Sequence, residues 1–288
     1  MYKCYFFTLI FLLSTLFLSA QSKIYVDGNT SSLDCMEIFG TLEYPYISLQ
    51  DALTATGLEA GDTILVAEGI YYPDESECGY LDTDDRTASF VIPNGIVLMG
   101  GYNSTFTTRD FINTPSILSG DIDQNAPDIV NNSYRIIYTF SVDSTTVLDG
   151  FTITGGNANG SGENGQGGGW YNVGFSPENS SNPTVRHCRF ISNFAVIGGG
   201  MFNDGIIDGV SSPTLINCEF MGNESVYEGA AIYNYGLQGI SSPTLINVLF
   251  SGNKAGTAGA MYNAGVEGES SPTLINCVFS GNEAEVAG

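Results

Sequence analysis

Two aspartates and an asparagine in the first half of the chain have the spacing of metal ligands. Asp121, Asp123 and Asn125 alternate with other residues in the sequence Asp-Ile-Asp-Gln-Asn, which is how an oxygen-ligand calcium loop opens. The glycine and the distant glutamate that complete an EF-hand loop do not follow. The sequence therefore offers one candidate cofactor, calcium, at these three residues, against the alternative of a surface turn without a metal.

The chain has one histidine, His187, and its sequence neighbourhood offers little for catalysis. It lies near Arg189 in a stretch with a period of two, on the side predicted to face solvent. A catalytic base needs a nucleophile close by, and the sequence fixes no serine or cysteine there. Glycoside hydrolysis needs two facing carboxylates, but the outward Glu219 has no acidic counterpart in neighbouring repeats. We therefore predict no catalytic residue and interpret His187 as part of a strand face.

The basic residues of the repeats lack an acidic partner in the sequence pattern. Arg186, Arg189 and Lys254 are predicted to share no coil face with an aspartate. A polysaccharide lyase needs a base beside a cation-bound uronate. The pattern does not predict that combination.

The six cysteines fall into two groups once Cys4, in the N-terminal apolar run, is set aside. Cys35 and Cys78 lie in the N-terminal part of the chain and are candidates for a disulfide bond in an oxidising compartment. No spacing of cysteine and histidine suits zinc. The other three cysteines share one predicted inward column, where side chains in register point the same way, so buried free thiols are favoured over disulfides: Cys188, Cys218 and Cys277.

The block PTLINCVFSGN, which begins at Pro272, occurs in four related copies. The other copies begin at Pro183, Pro213 and Pro243, so successive starts lie 30, 30 and 29 residues apart. A second block alternates with it: small residues, then an apolar residue, an aromatic residue and asparagine. Two blocks interleaved at one period indicate a repeat architecture.

The aligned copies carry apolar residues at a period of two, which predicts a strand with one buried face. In the second copy, Ile216, Cys218 and Phe220 are predicted to point inward and Asn217 outward; Arg186 is an exception in the first copy. Phenylalanine and asparagine recur at two fixed positions, and we interpret them as structural ladders, with the asparagines at a common bend: Phe190, Phe220, Phe250, Phe279, Asn193, Asn223, Asn253 and Asn282.

One repeat of about 30 residues cannot bury a core alone, whereas stacked repeats can. The strands of successive coils would then pair in parallel, about 4.8 Å apart. The second block adds a strand whose Met201 is predicted to be buried, while Phe202, Tyr233 and Tyr262 face outward as a stack. The sequence therefore predicts an all-β fold, a parallel β-helix or β-solenoid.

The blocks FISN, FMGN and FSGN, alternating with Gly-Gly-Ala-Ile-like blocks, resemble the repeats of the chlamydial polymorphic membrane proteins. More broadly, they are similar to the right-handed parallel β-helix repeats of pectin-lyase-like proteins, over about residues 147–288. The resemblance implies a right-handed parallel β-helix. It leaves the function open, because adhesins, phage spikes and polysaccharide enzymes share this fold.

The first residues of the chain predict export. Residues 1–20 combine Lys3, an apolar run and a small-residue end, which is typical of a secretory signal peptide cleaved before Gln21. No later segment is long and apolar enough to cross a bilayer. We therefore expect a secreted protein, extracellular or on the outer-membrane surface, with no transmembrane span in the mature segment.

The remainder divides into 21–132, a cap with irregular coils, and 133–288, the regular repeats. Ser48, with Asp51 three residues later, predicts a short N-terminal helix that covers the first coil and its strand edges. The stretch 155–169 is rich in Gly and Asn, which predicts a projecting loop. The last residues stop in mid-coil, which predicts a fragment of a longer protein.

The charge balance excludes some partners. Without Lys3, seven Lys and Arg remain against 31 Asp and Glu, a net charge of −24. Such a surface repels nucleic acid and anionic membranes. The partners we expect are an extracellular glycan or a host or cell-surface protein.

We therefore predict a secreted or surface-exposed bacterial β-helix repeat protein, adhesin-like or structural and non-enzymatic. The alternative is a carbohydrate-active enzyme of the pectin-lyase-like group, either a polysaccharide lyase or a glycoside hydrolase. Its site would lie on the irregular coils, near Asp121, Asp123 and Asp149.

Overall fold

The computed structural model describes residues 21–29, 40–75 and 85–286, which wind into a parallel β-solenoid of about 7 turns. Each strand pairs with the equivalent strand of the next coil, so the four sheets run along the solenoid axis. The predicted all-β solenoid is confirmed. The predicted signal peptide and both candidate disulfide cysteines, Cys35 and Cys78, lie outside the described residues.

Sheet A has eight strands: β1 (Lys23–Val26), β2 (Thr63–Ala67), β5 (Val97–Tyr102), β8 (Val147–Asp149), β12 (Thr184–Arg186), β16 (Thr214–Ile216), β20 (Thr244–Ile246) and β24 (Thr273–Ile275). Sheet B has seven: β3 (Gly69–Tyr71), β6 (Ser116–Ser119), β9 (Phe151–Thr154), β13 (Arg189–Ile191), β17 (Glu219–Met221), β21 (Leu249–Ser251) and β25 (Val278–Ser280).

Sheet C has five strands: β10 (Asn157–Ala158), β14 (Phe194–Ala195), β18 (Glu224–Ser225), β22 (Lys254–Thr257) and β26 (Glu283–Val286). Sheet D has six: β4 (Phe90–Val91), β7 (Ile137–Phe140), β11 (Trp170–Phe175), β15 (Met201–Ile206), β19 (Ile232–Tyr235) and β23 (Met261–Ala264). From β8 onward, each coil visits the sheets in the order A, B, C and D.

A residue with left-handed backbone separates sheet A from sheet B in each regular coil. His187, Asn217, Asn247 and Asn276 have φ of 51°, 54°, 56° and 52°. Asparagine tolerates this conformation better than most residues because its short polar side chain can bond locally. The repeated asparagine of the PTLIN sequence therefore sets the corner of the coil.

The corner changes which side chains face inward. Ile216 and Asn217 both lie on the outer surface, and the buried residues on either side of them are Leu215 and Cys218. The prediction that Ile216 points inward is wrong, because a period of two does not continue through a left-handed residue. Arg186 occupies the position equivalent to Ile216 in the preceding coil. Because that position faces outward, Arg186 does not break the pattern of buried residues.

The phenylalanines of sheet B stack inside the solenoid. The ring centroids of Phe190 and Phe220 are 4.6 Å apart, those of Phe220 and Phe250 are 5.4 Å apart, and those of Phe250 and Phe279 are 4.7 Å apart. The register of the parallel strands imposes these distances, because identical positions repeat at about 4.8 Å. Phe190, Phe220 and Phe250 belong to one core cluster that runs from Val26 to Phe250, whereas Phe279 is 48% exposed.

Buried asparagines bond each coil to the next at the end of sheet B. Asn223 Nδ2 donates to Asn253 Oδ1 at 3.0 Å and to the Phe190 carbonyl at 2.9 Å. Asn223 Oδ1 accepts from the backbone N and the Nδ2 of Asn193, both at 3.1 Å. Asn253 makes the corresponding bonds to Asn282. A buried polar group left unpaired costs about 1–3 kcal/mol, so the ladder satisfies groups that the corner buries.

A short helix covers the N-terminal end of the core, as predicted. Helix α1 (Leu49–Leu53) begins at Ser48, whose Oγ accepts a hydrogen bond from the Asp51 backbone N at 3.2 Å. Its Leu49, Ala52 and Leu53 are buried in the core cluster. No helix in the described ranges is long and apolar enough to cross a membrane.

The predicted projecting loop at 155–169 is mostly part of the coil. It contains strand β10 and a 3-10 turn (Gly162–Gly165), and residues 156–158 and 167–169 are buried. Here the glycines allow close backbone approach, because a Cβ on Gly156 would collide with the carbonyl of Gly168. Only the short segment 159–163 lies largely at the surface.

Candidate binding cleft

The sheet A–B corner of the His187 coil carries a cleft on its outer surface. Strand β8 ends at Asp149, which lies in register beside Arg186 of β12, and His187 follows at the corner. The segment 103–115 between β5 and β6 brings Arg109 and Phe111 onto this surface. Three segments that are distant in sequence therefore meet at one place.

Arg109 holds the carboxylate of Asp149. Its Nη2 donates to both Asp149 Oδ1 and the Asp149 carbonyl at 2.9 Å, and its Nε donates to the Gly100 carbonyl at 2.8 Å. Burial raises the pKa of Asp149, but the hydrogen bonds from Arg109 and His187 outweigh burial and leave that pKa below its ordinary value. Asp149 therefore stays ionised at neutral pH.

His187 is fixed by polar contacts on both ring nitrogens. Nδ1 lies 2.9 Å from Asp149 Oδ1, and Nε2 lies 3.1 Å from Asn217 Nδ2. Because the amide nitrogen can only donate, Nε2 accepts and the ring proton sits on Nδ1, facing Asp149. The Phe111 ring stacks on the imidazole at a centroid distance of 5.2 Å.

The cleft encloses about 250 Å³ and is called the His187 cleft below. Arg189 Nε donates to Glu219 Oε2 at 3.0 Å, and these side chains are 44% and 40% exposed. Ile112 is 76% exposed at the rim. The lining combines hydrogen-bond donors, acceptors and apolar surface, from Phe111, Ile112, His187, Arg189, Asn217 and Glu219.

The cleft corrects one prediction from the sequence. Arg186, together with Arg189 and Lys254, was predicted to share no coil face with an aspartate, but Arg186 lies in register beside Asp149, and His187 contacts the same carboxylate. The prediction is wrong because it considered the regular repeats alone, and Asp149 belongs to the preceding, less regular coil. The position of His187, where later coils carry asparagine, is the one signal in the sequence that could have pointed here.

The candidate calcium ligands lie together in a turn in which three of the four carboxylate oxygens of Asp121 and Asp123 accept hydrogen bonds from protein groups, whereas Asp123 Oδ1 is buried without a hydrogen-bond partner among the described residues. The carboxylate of Asp121 accepts from the backbone N of Asn125 and Ala126 at 3.1 and 3.2 Å. Asp123 Oδ2 accepts from the side-chain amides of Asn125 and Asn131 at 2.8 and 3.2 Å. In the described part of the chain, no group of three or more His, Cys, Asp or Glu is arranged to hold a metal ion. Calcium binding stays a prediction.

The cysteines of the repeats are free thiols on an inward column. Cys188 and Cys218 are buried, and Cys277 is partly buried on the last coil. Burial raises the pKa of Cys218 to about 12 and also raises the pKa of Cys188. Such thiols are poor nucleophiles at neutral pH.

A second polar group lies on the outer face of sheet D, where the sequence predicted the outward stack of Phe202 and Tyr233 but not its polar neighbour Asp204. Tyr171, Phe202 and Tyr233 form an aromatic cluster there, with Phe202 and Tyr233 stacked at 4.9 Å. The Tyr171 hydroxyl donates to Asp204 Oδ2 at 2.8 Å. Burial raises the pKa of Asp204 to about 6 and, with the nearby Asp204 charge, raises that of Tyr171.

The fold and the cleft define a β-solenoid repeat protein with a polar cleft on its side. Models of known protein families, curated proteins and solved structures give no match to the chain. The resemblance to pectin-lyase-like and chlamydial repeats therefore rests on the sequence pattern alone.

Proposed function

We propose that the chain is an exported bacterial β-solenoid that acts outside the cell or on the outer-membrane surface, as an adhesin-like or structural protein without catalytic activity. Residues 1–20 support export, because they combine an apolar run with a small-residue end. The predicted partners are an extracellular glycan or a cell-surface protein.

The observation that carries this proposal is an uncharged outward face on sheet A. The sequence SSPTLIN occurs unchanged in three successive coils, with its threonine, isoleucine and asparagine on the outer surface. The threonines and isoleucines pair in register from Thr214 to Thr244 to Thr273 and from Ile216 to Ile246 to Ile275. When a partner docks, water leaves the surface between the two molecules. Removing water from charged groups costs much free energy, whereas removing it from this uncharged face costs little.

A stiff support strengthens the case for a binding or structural role. Packing in the core explains why leucine repeats at the inward position of Leu215 and its counterparts. It does not explain why the outward threonine and isoleucine also repeat. The core beneath this face is tied from coil to coil by the asparagine ladder and the phenylalanine stack. A rigid face loses little conformational entropy when a partner binds.

Export is tested with the full chain expressed from Met1 in a bacterium. We expect the exported form to begin at Gln21 by mass spectrometry, and a protease added to intact cells to digest any cell-bound chain. A cytoplasmic enzyme in the same cells should survive that treatment. An uncleaved chain that is protected inside the cells would contradict the proposal.

Adhesion is tested with beads coated with the exported chain. We expect the beads to adhere to cell surfaces, and Ile246→Glu to weaken adhesion by placing a charge on the face. Leu249→Glu is the matched control, because Leu249 lies on the neighbouring sheet B at similar burial. Equal adhesion by both variants and the wild type would remove the face from the proposal, and no adhesion by any of them would reject the adhesin-like role.

A carbohydrate-active enzyme is a second candidate, because Asp149 orients His187, which lines the cleft. A carboxylate that holds the Nδ1 proton makes Nε2 a potential general base, provided that a substrate hydroxyl takes the place of the Asn217 amide that now donates to Nε2 at 3.1 Å. The assay incubates the chain with polygalacturonate, alginate and neutral glycans, with and without calcium, and measures reducing ends and unsaturated products. Turnover that His187→Asn abolishes would replace the non-enzymatic proposal, since asparagine occupies this corner in the later coils.

A further inference from the structure

We infer that the His187 cleft binds one sugar ring of a neutral extracellular glycan. The inference rests on the proposed function, since it gives the extracellular partner a chemical class and a site on the chain. Four properties of the cleft carry it: its size, its mixed hydrogen-bonding groups, its balanced charge and its rigidity.

The size of the cleft restricts the ligand to one small ring. Its volume of about 250 Å³ lies just below the ~300–1,000 Å³ typical of pockets for drug-sized molecules. The exposed Asn247 amide, which donates to Asn217 Oδ1 at 3.0 Å, continues the polar row of the cleft in the next coil. A glycan chain could therefore leave the cleft in that direction.

The lining groups suit hydroxyls, which both donate and accept hydrogen bonds. Arg189 offers donors, Glu219 offers acceptors and Asn217 offers both, all on planar side chains at partly exposed positions. Phe111 and Ile112 supply the apolar surface that the C–H groups of a sugar ring require. A ligand with only anionic or only apolar groups would leave half of this lining unmatched.

The charges around the cleft favour a neutral ligand. Arg189 is paired with Glu219 at 3.0 Å, and Arg109 is paired with Asp149 at 2.9 Å, so each of these two carboxylates is balanced by a cation. The whole chain carries a net charge of −23, which disfavours the approach of a polyanion. Uronate polymers are therefore poorer partners than neutral glycans.

The side chains are held in place before any ligand binds. His187 is fixed by Asp149, Asn217 and the ring of Phe111. Arg109 anchors the segment that carries Phe111 and Ile112, through bonds to Asp149 and to the Gly100 carbonyl. Groups that are already ordered lose little entropy on binding.

The test measures binding of neutral sugars to the exported chain. The probes are glucose, galactose, mannose and N-acetylglucosamine with their short oligomers, followed by ligand-observed NMR and calorimetry. We expect at least one series to bind, and Arg189→Ala and Glu219→Ala each to raise its Kd about tenfold or more through loss of a charged hydrogen-bonding partner.

Two further variants separate a local effect from a general one. Ile112→Ala removes only exposed rim surface and should weaken binding severalfold without unfolding the chain. Lys254→Ala is the matched control, an exposed basic residue on sheet C outside the cleft, and should bind like the wild type. Circular dichroism and melting curves confirm that each variant is folded.

The inference is overturned if no neutral sugar binds, if only a uronate oligomer binds, or if Arg189→Ala and Glu219→Ala bind as well as the wild type. Bead adhesion separates this failure from failure of the proposed function. Adhesion that survives both cleft variants leaves the proposed function standing while the cleft loses its role. Sugar binding without adhesion would support the cleft and reject the adhesin-like role.

Discussion

Asp149 and His187 are 38 residues apart in sequence, yet the Oδ1 of the first lies 2.9 Å from the Nδ1 of the second. The pair forms because β8 and β12 are neighbours in sheet A, and because the left-handed corner at His187 turns the imidazole back over β8. Arg109 then neutralises the carboxylate from a third segment. The geometry of one coil corner thus creates the polar cleft.

Loss of Arg109 should destabilise the protein by an amount that depends on pH. We expect Arg109→Ala to cost roughly 1–3 kcal/mol at pH 7, because Asp149 keeps a partly buried charge without its cation. The pKa of Asp149 is lowered in the folded state, so its contribution is present above the unfolded pKa and is lost as pH falls through the folded pKa. The difference in unfolding free energy between the wild type and Arg109→Ala should therefore shrink at acid pH, as measured by denaturant unfolding.

The matched control for that experiment is Arg189→Ala. Its partner Glu219 is exposed, and exposed ion pairs contribute about 0–1 kcal/mol. A deficit for Arg109→Ala that is no larger than that of the control, or that persists unchanged at acid pH, would contradict the ion-pair explanation.

Removal of the buried charge at Asp204 should stabilise the protein at neutral and higher pH. Burial raises the pKa of Asp204 to about 6. A carboxyl group whose pKa is raised by folding makes its full contribution to stability below the pKa of the unfolded state, about 4. That contribution is lost as the pH rises through about 6. We therefore expect Asp204→Asn to gain roughly 1–3 kcal/mol over the wild type at pH 8 and little at pH 4, measured by melts at both pH values.

The control for the Asp204 experiment is Glu224→Gln, which changes an exposed carboxylate on sheet C. It should shift stability by less than about 0.5 kcal/mol at either pH. A similar gain from both variants would assign the effect to net charge. That result would count against burial of Asp204 as the cause.

Truncation in the asparagine ladder should be costly. We expect Asn223→Ala to destabilise by about 3 kcal/mol or more, because the buried Phe190 carbonyl and the amides of Asn193 lose their partner together. The exposed Asn131→Ala serves as a control and should cost less than about 0.5 kcal/mol. Equal costs in guanidinium melts would show that the ladder adds nothing beyond an ordinary surface amide.

The phenylalanine stack provides a second measure of the core. Phe220→Ala removes a fully buried ring between two stacked neighbours and should cost roughly 3–5 kcal/mol. Glu219→Ala, one position earlier and facing outward, should cost less than about 1 kcal/mol. If Glu219→Ala proves the costlier change, the assignment of the inward face is inverted.

The repeats were sufficient to predict the solenoid because each coil repeats the same local chemistry. A period near 30 residues, with phenylalanine and asparagine at fixed positions, requires coils that stack in register. The Ser48 signal likewise placed the capping helix, because an N-cap bond is local in sequence. Where the sequence repeats, local patterns are enough to predict which residues of successive coils lie next to each other.

The tertiary structure alone decided which residues meet across irregular coils. Whether Ile216 faces the core or the solvent depends on one left-handed residue, and the periodicity of the sequence does not reveal such a residue. The approach of Arg109, Asp149 and His187 depends on strand register and on the path of the segment 103–115. These contacts join positions with different local sequences, so no repeat encodes them, and only the folded chain brings them together.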